Sequence, residues 1–301
     1  MVGPQLMGFM GQAMANPYSL QLAAELAAAQ PASMDAVEQL KRRSVSSPAL
    51  WPFHAVPMPV AVKEAQGSRL IDLDGREYLD TFLGFGTQAL HGHNPPEVVA
   101  ALKSALGRTV GNGYFHPVEL ELVDRMRRFT GLESFAFLHS GTDATAAAIR
   151  LCRAHTGRRT IVKFESAVHG THDWGVQSSV ALMHGHPVTP WPARTEQGVE
   201  PVSFATGVGR VEDLLILPHL DAEALDLLEQ NKDSIAAVIM ESCNISFPYA
   251  DKCVPFVKRV SERCQALGIP FVLDEVQTGF RWGPGGTAKT CLLYTSPSPR
   301  D

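Results

Sequence analysis

The chain has 301 residues, 45% of them hydrophobic and 19% charged, with a formal net charge of −5. That length can bury a large core in one or two domains, and the proportions suit a globular protein and not a disordered one. The acidic balance argues against a nucleic-acid surface, and no apolar run approaches the roughly 20 residues a bilayer crossing needs. The five cysteines form no C-x-x-C pair, which fits reduced thiols in the cytoplasm. Ala13-Met-Ala15 resembles a leader cleavage signature, but no Lys or Arg precedes Lys41, and Pro4, Gly8 and Gly11 break the apolar stretch, so no secretory leader is expected.

Taken in order, Leu20 to Gln30 and Met34 to Arg43 read as helices, the second entered through Ser33 as N-cap. Val60 to Lys63 and Arg69 to Leu73 alternate apolar and polar residues, and Asp74-Gly75 turns the chain into Glu77 to Asp80, a small β-meander. Pro95-Pro96 opens a helix to about Leu106, and a further helix runs from Pro117 to Phe129. From Ser134 the pattern becomes strand-helix alternation, the mark of a parallel sheet. The expected strands are Phe135 to His139, Thr160 to Phe164, Leu214 to Leu217, Ala236 to Glu241 and Pro270 to Leu273. The expected helices are Thr142 to His155, Ala222 to Gln230 and Lys252 to Leu267. Residues 175–210, rich in Pro, Gly, Thr and His, are too long for an idle connector and suit a loop over a site.

Two places carry chemistry. Ile269-Pro-Phe-Val-Leu-Asp274 is a short apolar run that stops on an acid, and ligands of open α/β sheets bind outside the carboxyl ends of such strands. An acid there can hold a cationic ring nitrogen; the ordinary reading is an Asp that caps the next turn. Upstream, Ser140-Gly-Thr142 lies between a strand and a helix, where Gly permits close backbone approach and the helix start favours a dianion. Its ordinary reading is an N-cap, and Asp143 would have to face away from a phosphate. Together the two describe a ligand with phosphate at one end and a basic nitrogen at the other. Pyridoxal 5′-phosphate fits that description.

The chain resembles the class III aminotransferases, fold-type I pyridoxal-phosphate enzymes, and especially their glutamate-1-semialdehyde aminomutase-like branch. The similarity runs from about Pro59 to Gly286. Gly67-Ser-Arg-Leu-Ile-Asp-Leu-Asp-Gly75, His93-Asn-Pro95, Ser140-Gly-Thr-Asp-Ala144, Ala148-Ile-Arg-Leu151, His169-Gly170, Ala237-Val-Ile-Met-Glu241 and Asp274-Glu-Val-Gln-Thr-Gly-Phe-Arg281 carry it. Gly84-Phe-Gly86 and Pro284-Gly-Gly286 resemble the aminotransferase domains within polyketide and peptide synthases. The resemblance implies an α/β fold with a mainly parallel sheet flanked by helices, a small N-terminal α+β segment and a C-terminal part missing. It divides the chain into an extension (1–58), a meander and helix (59–116), an incomplete cofactor-binding domain (117–286) and a non-native tail (287–301).

By position, the resemblance implies that Ser140, Gly141 and Thr142 hold the cofactor phosphate. Asp274 pairs with the pyridinium nitrogen, Val276 packs on a ring face, and Glu241 sits near the ring or substrate. His169 follows the place where the family stacks an aromatic residue on the ring; here that place is Val168. The implied activity is Schiff-base transfer of an amino group from a small donor to a carbonyl, which includes carrier-bound ketones, in a homodimer. The family's Schiff-base lysine belongs on a later strand; Lys289 is too close to Asp274 to be it, so no catalytic residue is assigned and this chain is expected to be inactive. Cys291 to Asp301 reads as the one-frame translation of a sequencing adapter. The alternatives are a catalytically silent aminotransferase-like scaffold and a nucleotide-dependent α/β enzyme. Against the latter, Gly283 to Thr290 nearly spells a phosphate loop but has Ala288 at a required glycine, and Gly207-Val-Gly209 lacks a third glycine. The pairs His91/His93, His169/His172 and His184/His186 have the chemistry to ligate a metal, and Asp173 could join the second pair. The other two have no third ligand at useful spacing; loop or cofactor-side roles suit these pairs better, and no metal is expected.

Overall fold

The structure, a computed structural model, describes residues 21, 25, 28–43, 60–81, 90–108, 113–177, 194–195, 198–199, 211–243 and 250–290. They fall into two compact units that divide between Tyr114 and Phe115. The helix expected over 20–30 lies largely outside these residues, as do the pairs His184/His186 and Gly207/Gly209 and the 291–301 tail.

In the first unit, helix α1 (Pro31–Arg43) starts two residues before the expected Ser33 cap. The cap comes from elsewhere: the Asp74 carboxylate accepts the N–H groups of Ala32 and Ser33, both at 2.9 Å. Sequence-local reasoning favoured Ser33 because a hairpin carboxylate 41 residues away is invisible to it. Strands β1 (Val62–Gln66), β2 (Arg69–Asp72) and β3 (Glu77–Leu79) form the antiparallel meander, with β1 later in the chain than the Val60–Lys63 pattern suggested. The turn into β3 is braced by Asp72, whose Oδ1 accepts the N–H of Asp74 and Arg76 and whose Oδ2 accepts the Tyr78 hydroxyl. Helix α2 (Pro96–Leu106) begins with Pro at its first turn, where a missing N–H costs nothing.

The second unit opens with α3 (Pro117–Thr130), capped reciprocally by His116 and Glu119. The strand expected over Phe135–His139 does not form: the segment joins no ladder of the described sheets, and Phe137 and Leu138 stay about half exposed. Its apolar composition satisfied the pattern, but a strand exists only through a hydrogen-bonded partner. Helix α4 (Gly141–Thr156) follows, then β4 (Thr160–Phe164), the short α5 (Asp173–Val176) and a two-residue hairpin of β5 (Arg194–Thr195) and β6 (Gly198–Val199). The series ends with β7 (Leu214–Leu217), α6 (Glu223–Gln230), β8 (Ile235–Glu241), α7 (Ala250–Leu267), β9 (Phe271–Asp274) and α8 (Gly286–Thr290).

The main sheet is parallel, in the order β7-β4-β8-β9. Every residue of β8 is buried, as a central strand covered on both faces must be. On one face Val162, Phe164, Leu217, Val238 and Met240 meet Leu227 and Leu228 of α6 and Phe256, Val257 and Val260 of α7. Each such side chain contributes about 1.5–3 kcal/mol of burial. On the other face Ile161, Ala237 and Ile239 meet Ile149 of α4. The register slips by one residue where Ile235 and Ala237 pair with Thr160 and Ile161, so Ala236 is the extra residue of a bulge. The consequence for a site is directional: the loops after β4, β8 and β9 all leave from one edge of the sheet.

Candidate active site at the carboxyl edge of the parallel sheet

Glu241 and Asp274 end β8 and β9 and are register partners, so two carboxylates lie side by side at the strand mouths. Asp274 is 8% exposed. Its Oδ2 lies 2.8 Å from His169 Nδ1 and its Oδ1 accepts the Val276 N–H at 3.0 Å. Burial alone would raise its pKa, but the hydrogen bonds from His169 and from the Val276 N–H hold it below the ordinary value. An ionised carboxylate only accepts, so His169 carries its hydrogen on Nδ1 and donates. Burial keeps that imidazole neutral by lowering its pKa, and its Nε2 is buried without a hydrogen-bond partner.

Glu241 behaves oppositely. Burial first, and the charge of Asp274 second, push its pKa up to about 8, although its Oε2 accepts the Val168 N–H at 3.2 Å. Two adjacent buried carboxylates rarely ionise together, and the one with the stronger donors keeps the charge.

The loop after β4 brings Val168 and His169 to this edge, and a second set of bonds fixes it to the start of α4. Gly175 N–H donates to His172 Nδ1 at 3.0 Å, so His172 Nε2 carries the hydrogen and meets Thr145 Oγ1 at 3.0 Å. The Thr145 hydroxyl then donates to the His169 carbonyl at 2.7 Å. Thr142 Oγ1 accepts the Thr171 N–H at 3.2 Å. The approach is close: a Cβ on Gly170, whose φ is +102°, would sit 2.8 Å from the Thr142 Cα.

Ser140 caps α4, accepting the Asp143 N–H at 3.1 Å and donating its hydroxyl to Asp143 Oδ2 at 2.8 Å. The Asp143 side chain therefore folds back on the cap instead of standing clear of it. The N–H groups of Gly141 and Thr142 remain at the helix start without intrahelical carbonyls. Glycine at 141 lets Val276 close on the turn: a Cβ there would lie 2.9 Å from Val276 Cγ2. Val276 is otherwise 56% exposed. Ser140–Thr142, Val276 and Asp274 thus form one continuous surface.

Sequence reasoning missed Lys163, Thr145 and Glu275. A lone Lys in an apolar strand was the available signal for the first. Glu275 lies in the acid-bearing motif, and its carboxylate receives the N–H groups of Thr287 and Ala288, so the near phosphate loop at 283–290 already has an anion at its helix start. His93 pairs with Asp80 at 2.7 Å, and among the described residues no group of three His, Cys, Asp or Glu could hold a metal ion.

Residues 52–292 match the family model described as aminotransferase class III. The chain belongs to the class III aminotransferases. It is 37% identical over 257 residues to a glutamate-1-semialdehyde 2,1-aminomutase of Thermomicrobium roseum, a match covering 84% of this chain and 56% of the relative. Among solved structures it resembles an omega-transaminase from Sphaerobacter thermophilus, with TM-score 0.73, 26% identity, and 86% and 58% of the two chains covered. A glutamate-1-semialdehyde aminomutase from Pseudomonas aeruginosa shares the fold, with TM-score 0.70, 24% identity, and 89% and 56% covered. The chain therefore spans about half the length of the relatives it matches. The architecture is that of fold type I, and class III aminotransferases work with pyridoxal phosphate. No helix among the described residues is long and apolar enough to cross a membrane.

Proposed function

We propose that the chain carries the noncovalent half of a pyridoxal-phosphate site from an aminotransferase or aminomutase. The observation that carries this reading is the continuity of Asp274, Val276 and Gly141. It sets a buried, ionised acid and a helix start with free N–H groups at two ends of one surface. The residues fit the cofactor. Asp274 spends one lone pair on His169 and one on Val276, which leaves capacity for a ring N–H. Gly141 has no Cβ, so Val276 can lie against the turn and join the acid to the helix start.

In this reading Ser140, Gly141 and Thr142 hold the phosphate, Asp274 holds the ring nitrogen protonated, and Val276 and Val168 contact the ring. His169 orients Asp274, and Glu241 stands beside the ring with its proton retained. When bound, pyridoxal phosphate supplies an electron sink for bond breaking at the carbon bearing the amino group. The intact protein would pass that group from a small amino donor to a carbonyl, on the same skeleton or on a second substrate such as a carrier-bound ketone, as a homodimer. Val168 gives aliphatic contact where stacking would bind more tightly. Lys163 is committed to backbone carbonyls, and no described lysine is assigned to covalent attachment, so the chain alone binds without turnover.

Calorimetric titration with pyridoxamine phosphate tests the noncovalent site. Reversible binding that Asp274→Ala abolishes is expected; no binding, or binding indifferent to that change, would sink the reading. Borohydride treatment after pyridoxal phosphate should leave no lysine adduct that excess pyridoxamine phosphate prevents. A mapped adduct protected in that way would refute noncovalent binding.

A further inference from the structure

Lys163 is a fully buried lysine one residue from the carboxyl end of β4, the site's supporting strand. Its Nζ donates to the carbonyl oxygens of Ala167 at 2.8 Å, Gly175 at 3.0 Å and Gln177. An ammonium has three donors for these three acceptors, whereas a neutral amine would leave one carbonyl facing a lone pair. Three carbonyl dipoles aimed at one point repel each other unless a cation sits between them. The carbonyls come from both limbs of the loop after β4, one before the Val168–His169 pair and two after it. The limbs are packed so closely that a Cβ on Gly175 would lie 2.6 Å from the Gly170 carbonyl oxygen.

We infer that Lys163 is a positioning residue for the cofactor site: it gathers both limbs of the 165–177 loop onto β4, and so holds His169 on Asp274 and the Val168 N–H on Glu241. This rests on the reading of Asp274 as the ring-nitrogen partner. The groups whose charges act on Lys163 or feel it are Glu241, His169 and His172. Burial draws its pKa down to about 7, and Glu241 opposes that shift. A cation of this kind is costly to bury, and its carbonyl acceptors offset the cost. Without it the loop relaxes outward, and Asp274 loses the donor that keeps it ionised.

The test uses the whole chain, Lys163→Met, and Val260→Ala as a control that lowers stability from the α7 core. Two quantities are read: affinity for pyridoxamine phosphate, and the His169 Nδ1–H proton resonance, assigned by its loss in His169→Gln. Lys163→Met should lose the resonance and bind about tenfold or more weakly, while Val260→Ala keeps both despite a lower melting temperature. Retention of both in Lys163→Met, or their equal loss in Val260→Ala, overturns the inference. A wild-type chain that binds no probe defeats the cofactor reading alone, because the resonance still decides the role of Lys163. If Lys163→Met does not fold, nitrogen-15 spectra of the wild type at pH 6 decide. A protected lysine ammonium signal supports the tie, and only freely exchanging lysines refute it.

Discussion

The two ends of the candidate site are built differently. At the acid end, Asp274, His169, Glu241 and Lys163 are all buried and each is bonded to a neighbour or to nearby backbone, with His169 Nε2 the one ring nitrogen among them left without a partner. At the cradle end Ser140 is exposed, Gly141 and Thr142 are half-buried, and Val276 is largely open. The difference follows from what each end is made of. Buried polar side chains at strand mouths must be bonded or they destabilise the fold, so the acid end is set before any ligand arrives. Backbone N–H groups at a helix start can remain solvated, so the cradle offers a field without a fixed shell. Charge placement at the acid end is therefore preorganised, whereas the cradle must acquire its order from the ligand.

The largest expected effect tests that contrast directly. Asp274→Ala leaves the buried His169 Nδ1–H without an acceptor and frees the Val276 N–H, and should lower unfolding free energy by about 2–4 kcal/mol in urea titrations. A loss no larger than that of an exposed polar residue would mean that the acid end is not preassembled.

A smaller, pH-dependent effect sharpens the same point. Glu241 keeps its proton to about pH 8 when folded, against an ordinary value of 4.5. Between those values the unfolded chain has lost a proton that the folded chain retains, so stability falls as pH rises through this window. Glu241→Gln should remove the fall between pH 5 and 8, which is at most about 1.4 kcal/mol per pH unit. Identical pH profiles for wild type and variant would show that Glu241 titrates normally.

Much of this was legible in the sequence, unevenly. The alternation of apolar runs and helices gave the parallel strands from Thr160 to Asp274, because strands buried on both faces read as continuous apolar segments. Asp274 and Ser140 stood out because each interrupts such a run at an element boundary. The false strand at Phe135–His139 shows the limit: pattern reports burial tendency, and pairing depends on a neighbour elsewhere. The Asp74 cap of α1 and the Lys163 tie escaped for the same reason, since their partners are fixed by the turn of β2 into β3 and by the curl of one loop. His169 stood out as a cofactor-side residue, but its role as the donor to Asp274 did not, because that bond spans 105 residues.

The smallest effect separates the two jobs of Ser140, whose hydroxyl oxygen caps α4 and whose hydrogen, in the proposed site, turns from Asp143 Oδ2 to the phosphate. Ser140→Ala removes the cap and the ligand donor together and should cost about 1 kcal/mol of stability. Ser140→Gly removes the same hydroxyl, but glycine is a tolerable N-cap, so the stability loss should shrink to a few tenths of a kcal/mol. If the hydroxyl contacts phosphate, both variants bind pyridoxamine phosphate more weakly by a similar factor while differing in melting temperature. If affinity instead tracks melting temperature, the cradle works through the helix alone. The open end of the site would then owe its ligand preference to backbone and dipole, with no side-chain donor beyond Thr142.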